Sequence, residues 1–157
     1  MRLTAYTALV AFVLDQLSKV VVVHGLNLRS VGEIDVLPPY LVFRMAWNEG
    51  ANFGLLAGHS DLLRWVWVVL AVGVSFWVVT WVRRESFSRL GQISAGLLIG
   101  GALGNALDRV LYGAVADFLN TSCCGLRNPY SFNIADIVIF VGAFGLILFT
   151  GEGKKRA

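Results

Sequence analysis

The chain has 157 residues, of which 57% are hydrophobic and only 15% charged. A soluble domain carries about a quarter charged residues, so a mean hydropathy of +0.70 makes lipid the solvent for much of this surface. The formal charge of +3 does not point to nucleic acid, because the basic residues sit at the ends of apolar runs and form no stripe with interleaved aromatics.

A helix that crosses a bilayer needs about 20 mostly apolar residues. Four segments meet that demand: residues 3–23, 62–82, 91–115 and 132–149. The expectation is an all-α integral membrane protein, with residues 1–157 forming a single membrane domain of four transmembrane helices. Arg2, Arg83, Arg84, Arg89, Lys154, Lys155 and Arg156 flank the spans on one face. The positive-inside rule assigns that face, and both termini, to the cytoplasm.

The first span begins like a secretory signal peptide, with Arg2 ahead of an apolar run to Leu14. Asp15-Gln16-Leu17-Ser18-Lys19 follows without a small-x-small cleavage site, and the apolar run resumes at Val20. An uncleaved span fits those flanks better. Asp15 and Lys19 are four residues apart and share a helix face. They read as a self-neutralising ion pair that supports a site.

Residues 24–61 fall outside the membrane and have structure of their own. Pro38-Pro39 ends one piece, Tyr40 to Trp47 is β-prone, and Asn48-Glu49-Gly50-Ala51-Asn52-Phe53-Gly54 reads as a turn. A small extracytoplasmic β-region is expected there. Span two is apolar throughout except for Arg64 near its outer end.

Span three carries Gly96, Gly100 and Gly104 at four-residue spacing, a small-xxx-small face for close helix packing. Asn105, Asp108 and Arg109 follow. Their spacing fits a buried polar bracket between helices and equally a group that positions something reactive, since polar groups in lipid need partners either way.

Two further aspartates flank the last outer loop. Asp117 closes the third span in Val115-Ala116-Asp117-Phe118, and Asp136 opens the fourth in Phe132-Asn133-Ile134-Ala135-Asp136. Antiparallel spans can bring both to one depth. Two carboxylates there can share a proton, one activating water and the other protonating a carbonyl. Spacing alone also allows two unrelated aspartates that cap helices. A positive helix start beside Asp136 and a negative helix end beside Asp117 favour Asp136 as the base and Asp117 as the acid.

The remaining chemistry-bearing residues form no competing constellation. His24 and His59 lack metal-ligand spacing, and there is no HExxH and no phosphate loop. Cys123 and Cys124 are adjacent, which suits neither a zinc site nor a CxxC redox pair. They read as free or loosely oxidised thiols, because bridging neighbours strains a disulfide.

Taken in order, these residues resemble the bacterial lipoprotein signal peptidases (signal peptidase II). The resemblance rests on five patterns. They are Asp15-Gln16-Leu17-Ser18-Lys19, Asn48-Glu49-Gly50-Ala51-Asn52-Phe53, the stretch from Gly101 to Arg109, Val115-Ala116-Asp117-Phe118, and Phe132-Asn133-Ile134-Ala135-Asp136. It implies an intramembrane aspartic endopeptidase of the bacterial cytoplasmic (inner) membrane, without cofactor or metal. Its partners would be diacylglyceryl-modified prolipoproteins and membrane lipids. The signal peptide would be cut off N-terminal to the lipid-modified cysteine.

On this resemblance Asp117 and Asp136 are the catalytic pair. Asn48, Gly50, Asn105, Asp108, Arg109, Asn133 and Ala135 shape the site, and Asp15 and Lys19 act from the first helix. Asn52 departs from the family pattern, which usually has a small residue such as Ala or Ser there. The resemblance implies no role for the two cysteines. A transporter would also bury such charges, but would line a polar path through the whole bilayer. A non-catalytic membrane protein in which the aspartates merely pair is the other alternative.

Overall fold

The computed structural model describes residues 1–38, 40–50, 61–122 and 128–150. Helix α1 (Arg2–Lys19) runs on into a π-helical continuation, Val20–Gly25. A short α2 (Leu28–Val31) and strands β1 (Glu33–Leu37) and β2 (Leu41–Asn48) follow. Then come α3 (Asp61–Arg84), α4 (Arg89–Tyr112), strand β3 (Val115–Thr121) and α5 (Ile134–Phe149).

Three helical segments, Arg2–Gly25, Asp61–Arg84 and Arg89–Tyr112, are long and apolar enough to cross a membrane. The fourth expected span is a shorter apolar helix of 16 residues. The expected span 132–149 starts too early, because Asn133 is the N-cap and its side chain accepts from the Asp136 N–H. The expected span 91–115 runs too far. Gly113 ends α4 in the left-handed region at φ +84°, which only glycine adopts cheaply.

Residues 114–121 therefore leave the helix. Val115 and Asp117 belong to β3 and not to the third span. The β-region is correspondingly larger than residues 24–61 supply, because its third strand comes from beyond α4. The sheet is antiparallel in the order β1-β2-β3. The expected strand in Tyr40–Trp47 is observed one residue later, as Leu41–Asn48.

The β2–β3 register is interrupted between Phe43 and Ala46, where three steps on β2 face two on β3. This bulge sets Ala46 opposite Asp117 and Asn48 opposite Val115. On the free side of β3, Phe132 pairs with Leu119, and its carbonyl accepts from both Phe118 N and Leu119 N. The chain is thus delivered to Asn133 alongside Asp117.

Two apolar clusters hold the molecule. Val22, Val23, Leu28, Ala116 and Phe118 pack beneath the sheet. Val78, Val82, Ala95, Ile99 and Leu146 pack at the opposite end of the helices. Helix α4 is central, and its glycines set how near its neighbours come. A Cβ on Gly96 would meet Thr7 Cβ at 2.6 Å, and one on Gly100 would strike the Ala8 carbonyl. On another side, a Cβ on Gly101 would meet the Ala135 carbonyl at 2.6 Å. The small-residue face expected from spacing is therefore the α1 contact, and Gly101 serves α5.

Candidate active site

The polar residues converge where the C-terminal ends of α1 and α4 and the N-terminal end of α5 meet β2 and β3. Asp15 is fully buried and satisfied on both oxygens. Its Oδ2 accepts from Lys19 Nζ at 2.7 Å and Gln16 Nε2 at 3.0 Å, and its Oδ1 accepts from Ala135 N at 2.9 Å. The expected Asp15–Lys19 pair is present. It also anchors the first turn of α5, whose amide N–H groups have no partner within their own helix.

Lys19 reaches a second carboxylate as well. Its Nζ lies 2.8 Å from Asp108 Oδ2 and donates to Asn105 Oδ1 at 3.3 Å. Asp108, with no exposed surface, also accepts from Gln16 Nε2 and from Ala116 N, both at 3.1 Å. The last bond ties α4 to the start of β3. Arg109 donates from Nη1 to the Asn105 carbonyl at 3.3 Å and from Nη2 to the Gly50 carbonyl at 2.5 Å. Asp15 and Asp108 thus face the two cationic side chains Lys19 and Arg109 in equal number.

Asn105 and Asn133 carry the connection to the remaining aspartates. Asn105 Oδ1 receives both Lys19 Nζ and Asn133 Nδ2, the latter at 3.2 Å. Two donors on its oxygen leave its amide N–H free for Asp136 Oδ1, 2.9 Å away. Asn133 Nδ2 also donates to Asp117 Oδ1 at 2.6 Å, while its backbone N donates to Asp136 Oδ2 at 3.2 Å. One asparagine therefore touches both carboxylates. Asn48 Nδ2 completes the shell of Asp117 at 3.1 Å, donating to Oδ2.

The two aspartates differ in setting. Asp117 is 2% exposed, whereas Asp136 is only half-buried. Burial, and next the negative charge of Asp136, push the Asp117 carboxyl up from 3.8 to about 7, against the opposing bonds from Asn48 and Asn133. The sequence argument from helix ends fails for Asp117, which lies in a strand. Its tendency to hold a proton has another cause: a dry site beside a second carboxylate.

Every expected site residue is thus drawn into one network: Asp15, Lys19, Asn48, Gly50, Asn105, Asp108, Arg109, Asp117, Asn133, Ala135 and Asp136. Ala135 takes part through its backbone. Asn52, Cys123 and Cys124 lie outside the described residues. Gln16 was missed as a site residue. It sits one position past Asp15, about 100° around the helix from it, and its polarity within an apolar span was the available signal. Asn120 was also missed. It is 1% exposed and donates to the carbonyls of Asn128 and Tyr130, at 2.9 Å each, holding the approach to Asn133 against β3.

Comparison with known proteins points one way. The sequence model of the family described as signal peptidase (SPase) II matches residues 7–151. A lipoprotein signal peptidase of Methylobacterium sp. (strain 4-46) is 40% identical over 150 residues, covering 96% of this chain and 89% of that protein. One from Neisseria meningitidis serogroup C (strain 053442) is 40% identical over 152 residues, covering 94% and 91%. A solved structure described as a bacterial membrane enzyme superposes with a TM-score of 0.75 at 27% identity, covering 92% of this chain and 85% of that one.

Proposed function

The chain belongs to the signal peptidase II family, and from that premise we propose its reaction and the residues that perform it. It is an aspartic endopeptidase that removes the signal peptide from diacylglyceryl-modified prolipoproteins, cutting N-terminal to the lipid-modified cysteine. Asp117 and Asp136 are the catalytic pair.

What carries the residue assignment is Asn133, which bonds both carboxylates at once. Asp136 accepts N–H bonds on both oxygens, as a carboxylate does. Asp117, raised to about 7, carries a proton near neutral pH. Asp136 takes a proton from water as that water attacks the scissile carbonyl, and Asp117 gives its proton to the carbonyl oxygen. As the tetrahedral intermediate collapses, the amide nitrogen receives the proton held by Asp136 and Asp117 takes one back from a hydroxyl of the intermediate, which restores the starting pair.

The enzyme is a multi-pass protein of the bacterial inner membrane. Helices α1, α3, α4 and α5 cross it, with both termini cytoplasmic and the sheet on the outer side. The reading of α5 as a span rests on its uniformly apolar 16 residues. They reach roughly 24 Å, which a bilayer accommodates by thinning locally. A lipid-anchored substrate presents its scissile bond at the outer interface, the depth at which the two aspartates lie in this orientation.

Purified protein supplied with a diacylated prolipoprotein tests the assignment. Asp117→Asn and Asp136→Asn are each expected to lower cleavage by about 10²–10⁴-fold while the protein stays folded. Wild-type cleavage that survives both changes removes the pair from the mechanism.

A further inference from the structure

Buried polar atoms in native proteins nearly always have a partner, and more so where lipid replaces water. Among the described residues, four buried side-chain polar atoms have none: Thr4 Oγ1, Arg64 Nε, Trp67 Nε1 and Arg109 Nε. Thr4 lies at the far end of α1. The other three are all N–H donors, and they gather on one wall beside the active site.

Their proximity follows from the antiparallel packing of α3 on α4. Arg64 and Trp67 are three residues apart, on one face of the first turns of α3. Arg64 Nη2 donates to the Val110 carbonyl at 2.6 Å. The Arg109 guanidinium carbon lies 5.8 Å from the centre of the Trp67 ring. Arg109 in turn holds the carbonyls of Gly50 and of Asn105, whose side chain bonds Asp136. Three donors without acceptors thus line the outer seam between α3 and α4.

We propose that Arg64 and Trp67, with Arg109, bind carbonyl oxygens of the lipid-modified substrate. Donors with no acceptor in the free enzyme match a ligand that carries acceptors and no donors at that point. Ester carbonyls of the diacylglyceryl group have that chemistry, and so do the peptide carbonyls flanking the scissile bond. Helix α3 suits the task, since its buried residues Ser75, Val78 and Val82 all lie in its second half. Its first half can yield to a guest without unpacking a core. The inference rests on the peptidase reading and adds binding residues on a helix that the sequence patterns left out.

Trp67→Phe removes the N–H and keeps an aromatic face for Arg109. A second variant, with Trp67 replaced by benzothienylalanine, keeps the bicyclic shape and exchanges the N–H for sulfur. Both are assayed as the full chain with a diacylglyceryl substrate and with its dialkyl-ether analogue, which has no ester carbonyls. Loss of one hydrogen bond is expected to raise KM about 3- to 10-fold, with kcat and the unfolding temperature unchanged.

If the increase appears with both substrates, the acceptor is a peptide carbonyl. If it appears only with the ester substrate, the acceptor is an ester. An unchanged KM in both variants overturns the proposal, and so does a fall in kcat alone. Absence of cleavage by the wild-type protein would instead reject the peptidase reading itself.

Discussion

Helices α3 and α4 are both 24 residues long and run side by side, yet they do opposite work. Helix α3 is the more apolar, and only Ser75, Val78 and Val82 of it are buried. Helix α4 is the least apolar of the three long spans and buries twelve residues, five of them glycines and three of them Asn105, Asp108 and Arg109. Hydropathy therefore marks the helix that faces lipid, not the helix at the centre. In a bilayer, apolar side chains gain nothing by leaving lipid for protein. Close backbone approach and polar contacts decide which helix is enclosed.

The strongest test of that contrast is electrostatic. Lys19→Met leaves Asp15 and Asp108 buried together without their shared cation. A cost of about 3–5 kcal/mol is expected, read as a large fall in the unfolding temperature in detergent. A variant as stable as wild type would show that the network on α4 is dispensable for folding.

Glycine provides the next. Gly100→Ala drives a methyl into the Ala8 carbonyl and within 2.8 Å of Ala11 Cβ. Separation of α1 from α4 should lower stability by about 1–3 kcal/mol. Gly73→Ala on α3 meets nothing within 4 Å and should be neutral or stabilising by up to about 1 kcal/mol. Equal effects at the two sites would erase the distinction between the helices.

The pH dependence sharpens the role of the β3 aspartate beside α4. Its folded-state value is raised, so the protonated form is present below about 7 and is lost as pH rises through that value. As the acid, Asp117 should give kcat/KM an alkaline limb near pH 7, falling about tenfold per unit above it. The sign for stability is the same. Burying this group costs nothing below the unfolded value, and the cost grows up to about pH 7. A rate that stays flat to pH 9 would remove Asp117 as the acid. The smallest effect is expected on the lipid face, where Phe76 is 70% exposed. Phe76→Leu should change stability by less than about 0.5 kcal/mol and leave cleavage unaltered.

Much of this was legible in one dimension. The long apolar runs and the Asp15–Lys19 spacing are local patterns. Each is set by residues within a turn or two of one another. The end of the third span was misjudged because Val115 and Ala116 are as apolar as a helix requires, and hydropathy does not register the left-handed step at Gly113. The third strand was missed for the same reason. β3 exists because β2 and Phe132 offer hydrogen bonds on its two sides, and neither adjoins it in sequence.

The sequence by itself determined the membrane class, the long apolar helices and the ordered family patterns that single out Asp117 and Asp136. Hydropathy, charge and motif order are carried by the residues themselves, whatever surrounds them. Only the tertiary structure decided what those residues are. It placed Asp117 in a dry strand and fixed the amide of Asn105 by two donors on its oxygen. It also set Trp67 and Arg64 of an otherwise featureless helix beside Arg109. A carboxyl's proton and a donor's want of a partner depend on which atoms lie within a few ångströms, and here those atoms come from six different segments of the chain.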